Sequence, residues 1–146
     1  MAGKQKKDHK RLIIILIVIT LVFIWGNSMI PGKLSSEMTD WLRDVISKLF
    51  PFAKGEKHVS SGHMLRKTMH FTEYAILGIE LTCLKNTSRK LDKCKVLLLG
   101  VLAAMIDETI QLFTPGRAGM LQDVWLDTAG FVTGFVILTV IHKLRA

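Results

Sequence analysis

The chain has little of what marks a soluble enzyme or a secreted fold. It carries two cysteines in 146 residues, Cys83 and Cys94. Two are too few for a disulfide framework and match no recognised metal-pair spacing, so both read as incidental reduced thiols. No G-x-S-x-G, P-loop or dinucleotide fingerprint occurs, and no cofactor is expected. There is no internal repeat, and no low-complexity tract beyond a basic N-terminus. Acids are outnumbered, 12 against 20 Lys and Arg, for a formal net charge of +8. Yet no basic patch interleaved with stacking aromatics accompanies that charge, so nucleic acid is not an expected partner.

What the chain does have is apolar residues in long runs, 49% of the composition, with basic residues clustered between them. One domain fits in this length. Runs of this kind, rather than helix- or strand-period patterning, indicate an all-α polytopic membrane protein, and the excess positive charge is its inside bias. Four spans are expected, at about 12–30, 65–84, 96–113 and 120–141. The first follows MAGKQKKDHKR and is close to the roughly 20 residues needed to cross a bilayer. A signal peptide cut near Gly26-Asn27-Ser28 is its rival. The retained helix is preferred, because apolar character continues through Ile30 to Pro31-Gly32.

Between the first two spans, Met38, Trp41, Leu42, Val45, Ile46 and Leu49 recur at helical spacing. They predict an amphipathic helix over about 36–50, too polar to span, lying in the membrane interface. Ser35 or Ser36 is its expected N-cap and Pro51 follows its last turn. A flexible connector, PFAKGEKHVSSGH, comes next. Placing the N-terminus, the 85–95 loop and the tail in the cytoplasm gathers twelve of the twenty Lys and Arg there. The interfacial helix and the TPGRAG turn then face outward.

This topology turns scattered polar residues into one layer. At about 1.5 Å per residue, the ionisable groups of the last three spans lie roughly 4–12 Å in from their outer ends. On the second span these are His70 and Glu73, with Tyr74 beside them and Lys67 one turn further out. On the third they are Asp107 and Glu108, sharing a stripe with Gln111, Gly100 and Ala104. On the fourth, Asp123 and Asp127 line up with Gly130 and Gly134, a G-x-x-x-G pair that lets helices pack closely. The charges therefore point into the bundle. An unpaired Asp at a span centre costs about 2.5–3.5 kcal/mol, so these groups must pair, protonate or line a wet cavity. Arg117 and Lys67 can neutralise two carboxylates. Protons, water, a metal ion or a cationic ligand group remain as partners for the others. His70-x-x-Glu73 can present two metal ligands, but the second helical His of H-E-x-x-H is missing, and no metal is expected. Glu80 lies deeper and stands outside this layer.

Three blocks carry a resemblance. K-x-x-H-F-x-E-Y-A-I-L-G (Lys67 to Gly78), D-E-x-x-Q-L-F-x-P-G-R (Asp107 to Arg117) and D-V-W-L-D-T-A-G (Asp123 to Gly130) resemble the VanZ-like family of small membrane proteins. NSMIPGKLSS is similar to that family's first outer segment. The resemblance runs from about Ile24 to Gly134. It implies a mainly Gram-positive cell-envelope protein linked to resistance to teicoplanin, a lipid-tailed glycopeptide antibiotic. It also implies a site formed by Lys67, His70, Glu73, Tyr74, Asp107, Glu108, Gln111, Arg117, Asp123 and Asp127. Asp127 departs from the family, which often has Asn there.

Three functions are consistent with these residues. The first is a protection protein whose outward polar cavity engages an amphiphile, either a lipoglycopeptide or a lipid-linked wall precursor, among membrane lipids. Lys67, Tyr74, Gln111, Arg117, Asp123 and Asp127 would bind it, with its phosphate near Arg117 and Lys67. The second is an intramembrane enzyme acting on a lipid-linked wall component. His70 or Glu73 would then be general base and Asp107 or Glu108 acid or metal ligand. The third is a proton-linked transporter subunit.

Overall fold

A computed structural model describes residues 2–49, 62–88 and 91–145. It contains five α-helices and, among the described residues, no strand. They are α1 (Ala2–Ser28), α2 (Gly32–Leu49), α3 (Gly62–Thr87), α4 (Lys93–Leu112) and α5 (Leu121–Arg145). The expected connector at 51–63 lies almost wholly outside the described residues.

The four longer helices run up and down. At 1.5 Å per residue α1, α3 and α5 are about 37–40 Å long and α4 about 30 Å. α1 and α5 are long and apolar enough to cross a membrane. α3 and α4 do not meet the same criterion, and their own charged groups are the reason. α3 carries Arg66, Lys67, Glu73, Glu80 and Lys85, and α4 carries Lys93, Lys95, Asp107 and Glu108. α1 is an integral member of the bundle. Ile13, Ile17 and Ile24 are buried in the common core, Trp25 Nε1 donates to Ala103 O, and Thr20 Oγ1 donates to Glu80 Oε1 at 3.0 Å.

The core sits along the α3–α5 seam. A Cβ on Gly130 would strike Phe71 O, and one on Gly134 would strike Ala75 O. The backbones therefore meet with no side chain between them, as the small-residue stripe requires. Tyr74, Leu77, Phe131 and Ala104 close the core beside this seam.

The surface is inside-out relative to a soluble protein. Ser28, Ser35, Thr39, His70, Glu73, Asp107, Glu108, Gln111 and Asp127 are buried, whereas Ile15, Val22, Phe23, Leu98, Leu102, Met105 and Ile137 are exposed. α2 follows the same rule. It turns Gly32, Ser35 and Thr39 inward and leaves Met38 and Trp41 (67% exposed) facing out.

The capping expectation for α2 needs correcting. The helix begins at Gly32, and Ser35 N already donates to Pro31 O at 3.0 Å. Pro31, with its fixed φ, starts the first turn four residues earlier than the serines would. Ser36 Oγ is left to donate back to Gly32 O at 2.9 Å. α4 has a true cap that the apolar pattern hid. The Asp92 side chain accepts from Lys95 N at 2.8 Å, and that bond to a backbone amide holds its pKa below the usual carboxylate value.

Candidate functional site

The polar residues expected to share a layer do converge, at the end of the bundle that carries α2 and the α4–α5 turn. A cavity of about 200 Å³ lies there. α3 lines it with Arg66, Lys67 and His70, α4 with Glu108 and Gln111, and α5 with Asp123 and Asp127, while Arg117 stands at its rim. Glu73 and Asp107 sit just behind. His70 Nδ1 is 3.9 Å from Glu73 Oε2 and 3.7 Å from Asp107 Oδ2. The i, i+3 spacing of His70 and Glu73 aims both at α4, and the α3–α5 seam brings Asp127 up beside them.

Each expected residue finds a distinct place. Lys67 Nζ pairs with Asp123 Oδ1 at 2.7 Å, across the mouth from α3 to α5. Glu108 is a structural tie as well as a wall. Its Oε2 accepts from Met120 N at 2.8 Å and its Oε1 from Gln111 Nε2 at 3.2 Å, which fixes the segment entering α5. Gln111 Nε2 also reaches Asp107 Oδ2 at 3.2 Å. Tyr74 does not line the cavity. Its hydroxyl donates to Ala103 O at 3.2 Å, tying α3 to α4 inside the core. Glu80 stays apart, held by Thr20.

Arg117 does not neutralise a carboxylate by direct pairing. Its Nε donates to Ile30 O at 3.1 Å, and its NH2 donates to Asn27 O at 2.9 Å and to Ser35 Oγ at 3.0 Å. The guanidinium thus collects the carbonyls freed where α1 ends, a site that favours a cation. Burial, and next the nearby Arg66, lower its pKa, yet a guanidinium remains charged at any physiological pH. The turn is locked from the other side too. Thr114 Oγ1 donates to Ser28 O at 3.0 Å, and Gly32 N donates to Pro115 O at 2.9 Å. Gly116, with φ +72°, lets the chain reverse there. The two Pro-Gly steps of the sequence are therefore one corner.

The sequence reading missed Arg66. It lines the polar cavity and also a neighbouring apolar groove of about 390 Å³, walled by Met38, Trp41, Leu42 and Met69 of α2 and α3. The signal was present in the Arg66-Lys67 doublet at the start of a polar helix face, which doubles the cationic charge at one level.

The arrangement can bind a polar headgroup carrying negative charge at its rim, beside Arg66 and Lys67. Deeper in, it gathers a histidine and acids able to pass protons or to hold a cation.

A family model described as VanZ/LLP1 matches residues 12–142, nearly the whole chain. The chain belongs to the VanZ/LLP1 family. No curated protein and no solved structure matches it. Family membership, together with two helices of spanning length and an apolar exterior, makes this VanZ/LLP1 chain a membrane protein.

Proposed function

We propose that this chain is a four-span membrane protein whose polar cavity opens at the outer face and engages an amphiphile in the outer leaflet. α1, α3, α4 and α5 are the spans, α2 lies in the outer interface, and both termini are cytoplasmic. The inside-out surface supports counting α3 and α4 as spans. Apart from half-buried Glu80, which accepts from Thr20, their charges are buried or sit toward the helix ends, while Leu98, Leu102 and Met105 face outward. The amphiphile is a teicoplanin-type lipoglycopeptide or a lipid-linked wall precursor, and the chain confers or modulates resistance to the antibiotic.

One observation carries this reading: the polar cavity and the apolar groove are adjacent and share Arg66. A headgroup can sit against Arg66 and Lys67 while its acyl tail lies along Met38, Trp41 and Met69. Vancomycin, with no such tail, would use only half of the site. The experiment is complementation of a deletion strain, scored for teicoplanin against vancomycin sensitivity, with membrane levels measured alongside. Arg66→Gln and Lys67→Gln should lose teicoplanin protection at normal abundance. Full protection by both variants would remove the reading.

Convergence of His70, Glu73 and Asp107 favours a second reading, an intramembrane enzyme acting on the same class of lipid-linked component. His70 or Glu73 would take a proton and Asp107 or Glu108 would return it. A folded Glu73→Gln variant with unchanged resistance would count against it.

Topology has its own test in a native thiol. Cys94 is exposed within the basic 85–95 segment. In intact cells a membrane-impermeant maleimide should leave Cys94 unlabelled and should label Ala118→Cys in the turn. The reverse pattern would invert the proposed orientation.

A further inference from the structure

One nitrogen of His70, one carboxylate oxygen of Asp107 and one of Asp127 lie within 4.8 Å of one another, and all three side chains are buried. Acids clustered in this way do not by themselves make a site. The second observation is Asp127, 1% exposed, which lines the cavity and has no hydrogen-bond partner on either carboxylate oxygen. His70 Nδ1 is likewise buried and unpartnered.

The usual protein partners are engaged elsewhere. Lys67 pairs with Asp123, and Arg117 is spent on Asn27 O, Ile30 O and Ser35 Oγ. Among the described residues no lysine or arginine pairs with Asp107, Asp127 or Glu73. A water molecule could satisfy lone pairs here but adds no charge. A buried carboxylate that stays ionised needs pairing or metal coordination, and one held by neither takes up a proton instead.

The spacing fits a cation. His70 Nδ1 to Asp107 Oδ2, at 3.7 Å, is too long for a hydrogen bond. Around a metal with bonds of about 2.1 Å, neighbouring ligand atoms stand roughly 3.0–3.5 Å apart, so the His70–Asp107 pair needs to close by only a few tenths of an ångström, and Asp127, within 4.8 Å of both, would draw in to complete the shell. We propose that His70, Asp107 and Asp127 bind a divalent cation of the Mn²⁺ or Zn²⁺ class, with Glu73 at its flank. One imidazole among carboxylates suits these ions better than Ca²⁺ or Mg²⁺, which take all-oxygen shells. Such an ion, at the floor of the headgroup cavity, would also offer a fixed positive charge to a bound phosphate.

The test is metal content and binding of the full chain in nanodiscs, with Mn²⁺ and Zn²⁺ titrated alone and no amphiphile added. The wild type should bind about one equivalent of one of them and gain thermal stability from it. Asp127→Ala and His70→Ala should each weaken binding at least about tenfold, since even outer-shell partners of metal ligands cost 10–100-fold. Glu80→Gln, remote and held by Thr20, should bind as the wild type does. If the alanine variants do not fold, Asp127→Asn and His70→Gln replace them, with the same expected direction. A wild type that binds neither ion above empty nanodiscs overturns the proposal, as do ligand variants that bind equally well. Because no lipid or antibiotic enters this assay, its failure leaves the amphiphile reading to be judged by its own experiment.

Discussion

Replacing Arg117 by alanine should destabilise the protein by several kcal/mol and sharply reduce its level in membranes. Three hydrogen bonds leave with the guanidinium, to Ile30 O, Asn27 O and Ser35 Oγ. Bonds to a charged group are worth about 1.5–3 kcal/mol each, although losses at one side chain do not simply add. The effect is large because the three acceptors belong to two different elements. Asn27 and Ile30 lie at the end of α1 and Ser35 lies in α2, so the turn that carries Arg117 would detach from both. Ile30 O would also lose its donor, and Asn27 O would keep only the bond from Ile30 N. Arg117→Lys should recover only part of this, because one ammonium cannot copy the fork of a guanidinium. Thermal unfolding in detergent, compared across wild type, Arg117→Lys and Arg117→Ala, should give that order. Equal unfolding temperatures would mean that the corner is held without Arg117.

Gly134→Leu should separate the bundle along its main seam. Even one added carbon meets the carbonyl oxygen of Ala75, which is backbone in a helix and cannot swing aside. Overpacking of a core costs about 1–3 kcal/mol where side chains can yield. Here they cannot, so Gly134→Ala should reach the top of that range and Gly134→Leu should exceed it. The damage should spread to the cavity, since Asp127 is held beside His70 by the same α3–α5 approach. Gly26 provides the contrast. Nothing lies within 4 Å of a Cβ there, so Gly26→Ala should be neutral or should stabilise α1 by up to about 1 kcal/mol. If Gly134→Ala and Gly26→Ala unfolded at the same temperature, the seam would not be the core of the fold.

Much of this was legible because a membrane simplifies the reading. Lipid demands long apolar faces, so the polar residues that remain on a span are conspicuous and must face inward. That logic alone brought His70, Glu73, Asp107, Glu108, Asp123 and Asp127 to one layer, and it identified Gly130 and Gly134 as a packing stripe. It reached the helix ends less well. Ser35 resembles an N-cap in any local pattern, but Pro31 starts the helix earlier and the serine hydroxyl accepts from Arg117, 82 residues away. Arg117 resembles a free turn cation for the same reason. Its partners are backbone carbonyls of α1, and no side-chain pattern reports a carbonyl. Arg66 was overlooked because Lys67 already filled the expected cationic role. Only the packing of α2 against α3 creates the apolar groove that makes Arg66 a bridge.

The Asp123–Lys67 pair ties α3 to α5 at the cavity, and the Glu108–Met120 bond ties α4 to the segment entering α5.

The central claim is that the cavity and groove together hold an acyl-tailed, negatively charged amphiphile. The most direct measurement is the affinity of the full chain in nanodiscs for teicoplanin, for vancomycin and for a lipid-linked wall precursor, with Arg66→Gln beside the wild type. The account predicts that teicoplanin or the precursor binds more tightly than vancomycin, and that Arg66→Gln weakens the tighter ligand about tenfold, or 1.4 kcal/mol. Equal affinity for tailed and untailed ligands, unchanged by Arg66→Gln, would contradict it.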